Sequence, residues 1–149
     1  MQATLTASHL KIPLLKPYAL PFGTIDSLAT TYVSLRSQGR TGWGEITPLP
    51  GYSSETSDSV AAALQDAASR VAGGESYEGV AQSLWKHGPF AASGMLCALE
   101  TWRMGGEDCL RAPLSASVPL AAICQGHTPE HCAQQARELL GLGFSTLKM

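Results

Sequence analysis

Two side chains of this sequence occupy positions where they could do chemistry. Glu45 precedes two prolines in the turn-rich stretch GWGEITPLPGYSSET (42–56), and Lys148 is the last residue but one of the apolar segment FSTLKM (144–149). A carboxylate can bind a hard cation, and a lysine amine can serve as a base when its pKa is depressed. For Glu45 we expect a structural role instead, as a hairpin residue that bonds the backbone or a basic neighbour.

The cysteines and histidines do not have the spacing of a metal site. The four cysteines show no CxxC pair, and the four histidines form no HExxH motif. His127 and His131 are four residues apart, but Thr128-Pro129 between them marks a helix start. We therefore expect solvated histidines and reduced, mostly buried thiols at the cysteine positions, which are Cys97, Cys109, Cys124 and Cys132.

The bulk composition describes a globular chain with no excess of basic residues. It has 149 residues, 44% hydrophobic and 15% charged, with a formal net charge of −2. This charge gives no indication of a nucleic-acid or anionic-membrane partner. No apolar run reaches the roughly 18 residues of a spanning helix, and the N-terminus lacks the pattern of a signal peptide. We expect a cytoplasmic protein.

The first part of the chain predicts a three-stranded antiparallel meander. An extended segment runs over 4–15, and the two prolines and the glycine of 17–24 predict an apolar loop. TTYVSLR (30–36) alternates as a strand, with Thr31, Val33 and Leu35 on one face. Ser37 to Arg40 is typical of a hairpin turn, after which TGWGEI (41–46) returns as the third strand.

Helices follow the meander. Val60, Leu64, Ala67 and Val71 form one apolar helix face, with Ser54 as the expected N-cap and Gly73-Gly74 as the stop. A shorter helix is predicted over 77–85. The segment over 90–104 is apolar nearly all round and predicts a buried helix, whose interior Gly94 indicates a close contact with another element.

The last segment predicts a different architecture. VPLAAIC (118–124) and FSTLKM (144–149) have the continuous apolar character of buried parallel strands, and a helix capped by Thr128-Pro129 lies between them. This strand–helix–strand unit is the expected start of a (β/α)8 barrel, which takes roughly 250 residues. We expect a truncated barrel at 113–149, after a first domain at 1–112.

These elements and motifs resemble the enolase superfamily, in its mandelate racemase/muconate lactonizing branch. The resemblance rests on GWGEITPLPGYSSET (42–56), AASGMLCALET (91–101) and STLKM (145–149). It implies an α+β N-terminal capping domain that leads into a barrel. Within the branch, the first motif and the short passage from residue 104 to residue 118 look most like o-succinylbenzoate synthases; muconate cycloisomerases and dipeptide epimerases share the first motif and stay open as alternatives.

The resemblance also implies an active site. The shared chemistry removes a proton next to a carboxylate, with Mg²⁺ or Mn²⁺ holding the resulting charge. Lys148 is similar to the first lysine of the family's K-x-K strand end, and the second would follow Met149. We predict Lys148 as the catalytic residue of this chain, and no metal ligand within it.

Two loops of the capping domain are expected to cover the site and to bind a small-molecule carboxylate. The first spans 18–25 and the second 47–53, and closing them would exclude water from the intermediate. The predicted substrate-binding residues on these loops are Phe22, Gly23, Ile25, Leu49 and Tyr52.

The expected activity belongs to a longer protein. The 149-residue chain by itself is predicted to be inactive, because the base and the metal ligands lie outside it. The alternative is a non-catalytic capping or binding fragment, which could form homo-oligomers through exposed barrel strands.

Overall fold

The computed structural model describes residues 3–20, 23–49, 51–105 and 118–149. The chain divides into two compact units, Met1–Arg111 and Ala112–Met149. The elements of the first unit are β1 (Thr4–Leu20), β2 (Gly23–Ser37), β3 (Arg40–Ile46), α1 (Ser57–Ala72), α2 (Tyr77–Leu84) and α3 (Pro89–Arg103). Those of the second are β4 (Ala121–Ile123), α4 (Pro129–Gly141) and β5 (Thr146–Lys148).

A long antiparallel hairpin replaces the apolar loop that was predicted over 17–24. β1 continues through Pro17 to Leu20, and β2 already begins at Gly23. The loop prediction was wrong because, within the described residues, β1 pairs with β2 alone, so its prolines face an edge that needs no donor. The register shifts between Pro13 and Tyr18, which absorbs the second proline.

The β2–β3 connection confirms the predicted hairpin turn and face alternation. Gln38 and Gly39 both have positive φ, 51° and 76°, as a two-residue turn of the primed type requires. Thr31, Val33 and Leu35 are buried on the face toward the helices. The described sheet has the order β1-β2-β3, antiparallel throughout, as the meander prediction stated.

α3 packs directly against the backbone of β3 through three glycines. A Cβ at Gly42 would lie 1.9 Å from the carbonyl oxygen of Ala98, and a Cβ at Gly44 would lie 1.9 Å from that of Gly94. On the opposite side, a Cβ at Gly94 would lie 2.2 Å from Cγ1 of Ile46. The predicted close contact at Gly94 is confirmed, and its partner is the GWG sequence itself.

Thr101 joins the same helix to the outer backbone of β3. The N–H of Trp43 donates to Oγ1 of Thr101 at 2.7 Å. The Thr101 hydroxyl lies 3.0 Å from the carbonyl oxygen of Trp43 and 2.8 Å from that of Cys97, so its one proton goes to either acceptor. α3 thereby satisfies β3 groups that the sheet leaves unpaired.

The prediction that α3 is buried nearly all round was wrong. Its buried side chains form one face, composed of Ala91, Ala92, Met95, Ala98 and Leu99 around Gly94. Ser93, Cys97 and Glu100 point away from that face and are exposed. The apolar composition hid this asymmetry, because small residues such as Ala and Cys are compatible with either side of a helix.

Thr56, not Ser54, is the N-cap of α1. Its side chain accepts from the N–H of Ser59, while the Ser59 hydroxyl accepts from the N–H of Thr56 at 2.9 Å, which completes a capping box. The predicted apolar face is confirmed, and Gly73 caps the C-terminus. The Ser54 prediction failed because several consecutive polar residues could each have served as the cap.

Glu55 is buried in the first unit and binds the beginning of α3. Its two carboxylate oxygens accept from the N–H groups of Phe90 (2.8 Å) and Ala91 (2.9 Å). The N-cap residue Gly88 has no side chain for this task, and a Cβ there would lie 2.1 Å from the Glu55 carboxylate carbon. An anion at a helix N-terminus is stabilised by the free N–H groups and by the helix dipole.

The second unit contains the predicted parallel strand–helix–strand. Ala121 pairs with Thr146 and Ile123 with Lys148 in parallel register. Thr128 caps α4 by accepting from the N–H of His131, and Pro129 begins the helix. The unit exposes large apolar side chains at Val118, Leu120, Ile123, Leu140, Leu142 and Met149.

Across the described ranges, no helix is long and apolar enough to cross a membrane.

Gly44→Ala is expected to lower the free energy of unfolding of the first unit by about 1–3 kcal/mol, because the added Cβ must push α3 away from β3. Gly73→Ala is the matched control, since a Cβ there meets its nearest atoms at 3.4 Å. Urea unfolding followed by tryptophan fluorescence measures both variants, because Trp43, Trp85 and Trp102 all lie in this unit. Equal midpoints for the two variants would contradict the packing argument.

Glu55→Ala is expected to lower the free energy of unfolding by about 2–3 kcal/mol in the same experiment, because one buried and one partly buried N–H group lose a charged acceptor. Glu45→Ala removes an exposed carboxylate of the same motif and should change stability by no more than about 0.5 kcal/mol. The expectation fails if the two variants are equally stable.

Candidate functional site

Lys148 ends the second parallel strand and presents an exposed side chain. Thr146 and Lys148 are both exposed and Leu147 between them is half-buried, as strand alternation predicts. The carbonyl oxygen of Lys148 accepts from the N–H of Cys124 at 2.8 Å, so the carboxyl ends of β4 and β5 meet. Side chains at the carboxyl ends of parallel strands form the usual binding edge of α/β folds.

An apolar cleft of about 740 Å³ opens beside the β1–β2 hairpin in the first unit. Ile25 and Leu49, two of the predicted substrate-binding residues, lie in its wall. Among the described residues that line it, Lys16 carries the one charge; the others are Pro13, Leu14, Leu15, Tyr18, Leu20 and Leu28. The hairpin and the segment after β3 thus both contribute to this cleft, and their role in covering an active site stays a prediction.

A neighbouring cleft of about 430 Å³ shares Ile25, Leu28 and Leu49 with the first. Its polar lining includes Lys11 and Asp58, the latter in the first turn of α1. The three shared apolar side chains form a ridge between the two clefts. A ligand at this ridge would meet an apolar surface with one lysine on each side.

The remaining predicted binding residues do not join this ridge. Gly23 pairs with Leu20 near the tip of the hairpin. Tyr52 is 76% exposed, and its N–H donates to the carbonyl oxygen of Leu49 at 2.9 Å in a turn. Neither lines the two clefts, and Phe22 lies outside the described residues. Their substrate contacts stay a prediction.

Glu45 bonds a neighbouring hydroxyl, not the backbone or basic partner that was predicted for it. Its exposed carboxylate accepts from the hydroxyl of Thr47 at 2.7 Å, and Oγ1 of Thr47 lies 2.9 Å from that of buried Thr30. These bonds join the end of β3 to β2. Among the described residues, no group of three or more His, Cys, Asp or Glu side chains could hold a metal ion.

Sequence reasoning missed a polar cluster at the carboxyl end of β4. Oε1 of Gln135 accepts from the N–H of Gln125 at 2.8 Å and lies 3.5 Å from Sγ of Cys124. Cys132 is in contact with the same turn, and the fourth cysteine, Cys109, lies outside the described residues. Single cysteines without CxxC spacing gave no signal, because their proximity depends on the helix returning over the strand end.

The thiols are less uniformly buried than predicted. Cys97 is exposed on α3, Cys124 is buried and Cys132 is half-buried. Partial burial, together with the neighbouring Cys124, raises the pKa of the Cys132 thiol. This thiol therefore stays protonated at neutral pH.

Comparison with known proteins decides the family. The sequence profile described as MenC, N-terminal domain, matches residues 12–102. This range contains about half of β1, all of β2, β3, α1 and α2, and all but the last residue of α3. The chain belongs to the MenC N-terminal domain family. The resemblance to the enolase superfamily and the predicted capping-domain fold are confirmed.

A curated relative gives the same indication. The o-succinylbenzoate synthase of Citrobacter koseri is 33% identical over 118 residues, which cover 79% of this chain and 32% of that protein. The present chain thus spans about a third of the length of this relative.

Solved structures share the fold of this MenC N-terminal domain chain. The o-succinylbenzoate synthase of Thermosynechococcus elongatus, with Mg in its active site, has a TM-score of 0.74 at 23% identity, over 97% of this chain and 41% of its own. The dipeptide epimerase of Enterococcus faecalis, with Mg and the dipeptide L-Leu-L-Tyr, has a TM-score of 0.77 at 23% identity, over 99% of this chain and 45% of its own.

Proposed function

We propose that this chain is the N-terminal part of an o-succinylbenzoate synthase, which eliminates water from a cyclohexadiene carboxylate after removing the proton next to the carboxylate. The family match over residues 12–102 carries the proposal, and the Citrobacter koseri relative supports it. The solved structures support the capping-domain fold but leave the reaction open, because a synthase and an epimerase share it.

Lys148 is the catalytic residue that we propose in this chain. Loss of an α proton creates a second negative charge next to the carboxylate, and an ammonium group placed there stabilises that charge. The side chain is exposed at the carboxyl end of β5, next to the end of β4, which is where a barrel presents its site. A second lysine two positions further along the same face would have its pKa lowered by Lys148 and could then act as the base.

A divalent cation, Mg²⁺ or Mn²⁺, is proposed for the longer protein. Its role would be to hold the carboxylate oxygens as charge develops. The described residues do not fit a metal site, so its ligands are proposed to lie outside the part of the chain that the structure describes. The magnesium in the Thermosynechococcus elongatus enzyme supports this assignment for the family.

The ridge of Ile25, Leu28 and Leu49 is proposed to contact the apolar part of the substrate. The larger cleft combines an apolar wall with Lys16, and the smaller cleft adds Lys11 and Asp58. The lining of the larger cleft suits a hydrophobic ring that bears a carboxylate better than a dipeptide, whose backbone groups need several hydrogen-bond partners. Phe22, Gly23 and Tyr52 are proposed to complete the contact when the substrate is bound.

A dipeptide epimerase is the second candidate. It shares the proton abstraction, and the Enterococcus faecalis enzyme has the same fold as this chain. A muconate cycloisomerase relative stays an alternative on the motif at 42–56. Self-association through the exposed apolar side chains of the second unit and a cytoplasmic location both stay predictions.

The longer protein is expected to dehydrate the cyclohexadiene carboxylate in the presence of Mg²⁺ and to leave an L-Ala-L-Glu dipeptide and a muconate unchanged. Product formation is measured by absorbance, and epimerisation by proton exchange in deuterated water. Fast proton exchange of the dipeptide, without dehydration of the cyclohexadiene carboxylate, would make epimerase rather than synthase the function of this protein.

Lys148→Met in that protein is expected to lower kcat/KM by about 100-fold or more, because the transition state loses its cationic partner. Lys86→Met removes an exposed lysine of the first unit and serves as the control. Unchanged circular dichroism separates this effect from misfolding. Full activity of the Lys148 variant would remove the residue from the mechanism.

The 149-residue chain alone is expected to show no turnover of any of the three substrates at any Mg²⁺ concentration, because the proposed base and metal ligands are outside it. Metal-dependent turnover by the purified chain would contradict the assignment of these groups.

A further inference from the structure

Two cysteines meet where β4 ends and α4 begins. Cys124 directly follows β4, and Cys132 lies in the first turns of α4. Sγ of Cys124 is 3.5 Å from the carbonyl oxygen of Cys132, and Sγ of Cys132 is 3.1 Å from the carbonyl oxygen of Gly126. The Cys124 thiol thus lies against the backbone of Cys132, and the Cys132 thiol lies against the backbone two residues after Cys124.

The loop between the two cysteines is closed at both ends. A Cβ at Gly126 would lie 2.4 Å from the nitrogen and 2.7 Å from Sγ of Cys132, so only a glycine permits this approach. On the other side, Gln135 accepts from the N–H of Gln125 at 2.8 Å. These contacts hold the end of the strand over the first turns of α4, so each sulfur stays close to the backbone near the other cysteine.

Cys124 also affects the chemistry of Cys132. Partial burial, and after it the neighbouring Cys124, raise the pKa of the Cys132 thiol. Cys132 is the more accessible of the two, since Cys124 is only 8% exposed. An oxidant therefore reaches Cys132 first and leaves Cys124 as the group that resolves the product.

We propose that Cys124 and Cys132 are a redox modification site, which a peroxide converts into an intramolecular disulfide. The Cys132 thiol first loses its proton to solvent, and its thiolate attacks one peroxide oxygen; the O–O bond breaks, the Cys132 sulfenic acid forms, and the departing hydroxide takes up a proton and leaves as the first water. The Cys124 sulfur then attacks the sulfenic sulfur; the S–S bond forms, the S–O bond breaks and a second water leaves. Two thiols are oxidised by two electrons, and one peroxide is reduced to two waters.

The disulfide would lie beside the end of β5. The N–H of Cys124 donates to the carbonyl oxygen of Lys148, so a bond that fixes Cys124 also restrains the backbone of that lysine. This consequence for activity rests on the proposed function, whereas the thiol chemistry does not. The test therefore follows the thiols of the 149-residue chain and needs no turnover.

The reduced chain is treated with an equimolar amount of hydrogen peroxide, alkylated and digested with trypsin. Cleavage after Arg111 and Arg137 gives a peptide that contains Cys124 and Cys132, whereas Cys97 and Cys109 fall in two other peptides. We expect this peptide to be unalkylated and lighter by about 2 Da than its reduced, unalkylated form, through loss of two hydrogens. Its rate of formation should rise about tenfold per pH unit between about pH 7 and 9, because the raised pKa keeps the thiolate scarce.

Cys124→Ser and Cys132→Ser should each abolish the product, and Cys97→Ser, which removes the exposed thiol of α3, should leave its rate unchanged. In the Cys124→Ser variant, Cys132 should instead accumulate as sulfenic acid, which dimedone traps. The proposal is overturned if the wild-type peptide keeps both thiols while Cys97 is oxidised. Oxidation of Cys132 to the sulfinic acid, or a disulfide between two chains, would overturn it equally.

Discussion

The close approach of α3 to β3 is the contact on which the first unit depends. With no side chain at Gly42, Gly44 or Gly94, helix backbone and strand backbone meet at a distance that any Cβ would prevent. At that distance Thr101 can bond Trp43 and satisfy the side of β3 that the sheet leaves open. The glycines thus set a geometry that places other functional groups of the same motif.

Glu55 shows how far this geometry extends along the motif. After β3, the N–H of Tyr52 donates to the carbonyl oxygen of Leu49. Glu55 then accepts from the first N–H groups of α3, the same helix that β3 packs against. The segment is therefore fixed at one end by the glycine contact and at the other by a buried carboxylate. Between these two attachments, Leu49 faces the clefts and Tyr52 stays exposed.

Sequence patterns predicted local features correctly where the residues of the pattern themselves determine the conformation. Alternation placed Val33 and Leu35 inside, Gly39 marked a turn with positive φ, and Thr128-Pro129 marked a helix start. The patterns failed where the conformation depends on contacts with residues that are distant in the sequence. Pro17 suggested a loop, yet it lies in a strand whose outer edge needs no donor.

The candidate site shows the same division. Lys148 could be singled out from its strand-end position and from a resemblance, and Ile25 and Leu49 from their loops. The two lysines flanking the apolar ridge, Lys11 and Lys16, could not, because the predicted loop at 17–24 gave no sign of the long hairpin on which both lie; Lys16 also lies within the register shift of β1. Glu55 was missed for a related reason: its helix partner begins at Pro89, far along the chain, and no local pattern encodes that distance.

The proposed function assigns substrate recognition to the clefts of the first unit and charge stabilisation to the strand end of the second. In the first unit the described residues around Ile25 and Leu49 offer apolar area with few hydrogen-bonding groups, which can rank substrates by shape and hydrophobicity. In the second unit Lys148 offers charge at a strand end. Because charge stabilisation is common to a synthase and an epimerase, the reaction type cannot be read from Lys148. Under the proposed function, the apolar ridge would distinguish a carbocyclic substrate from a peptide, so exchanging its side chains should change substrate preference before it changes the rate of proton removal.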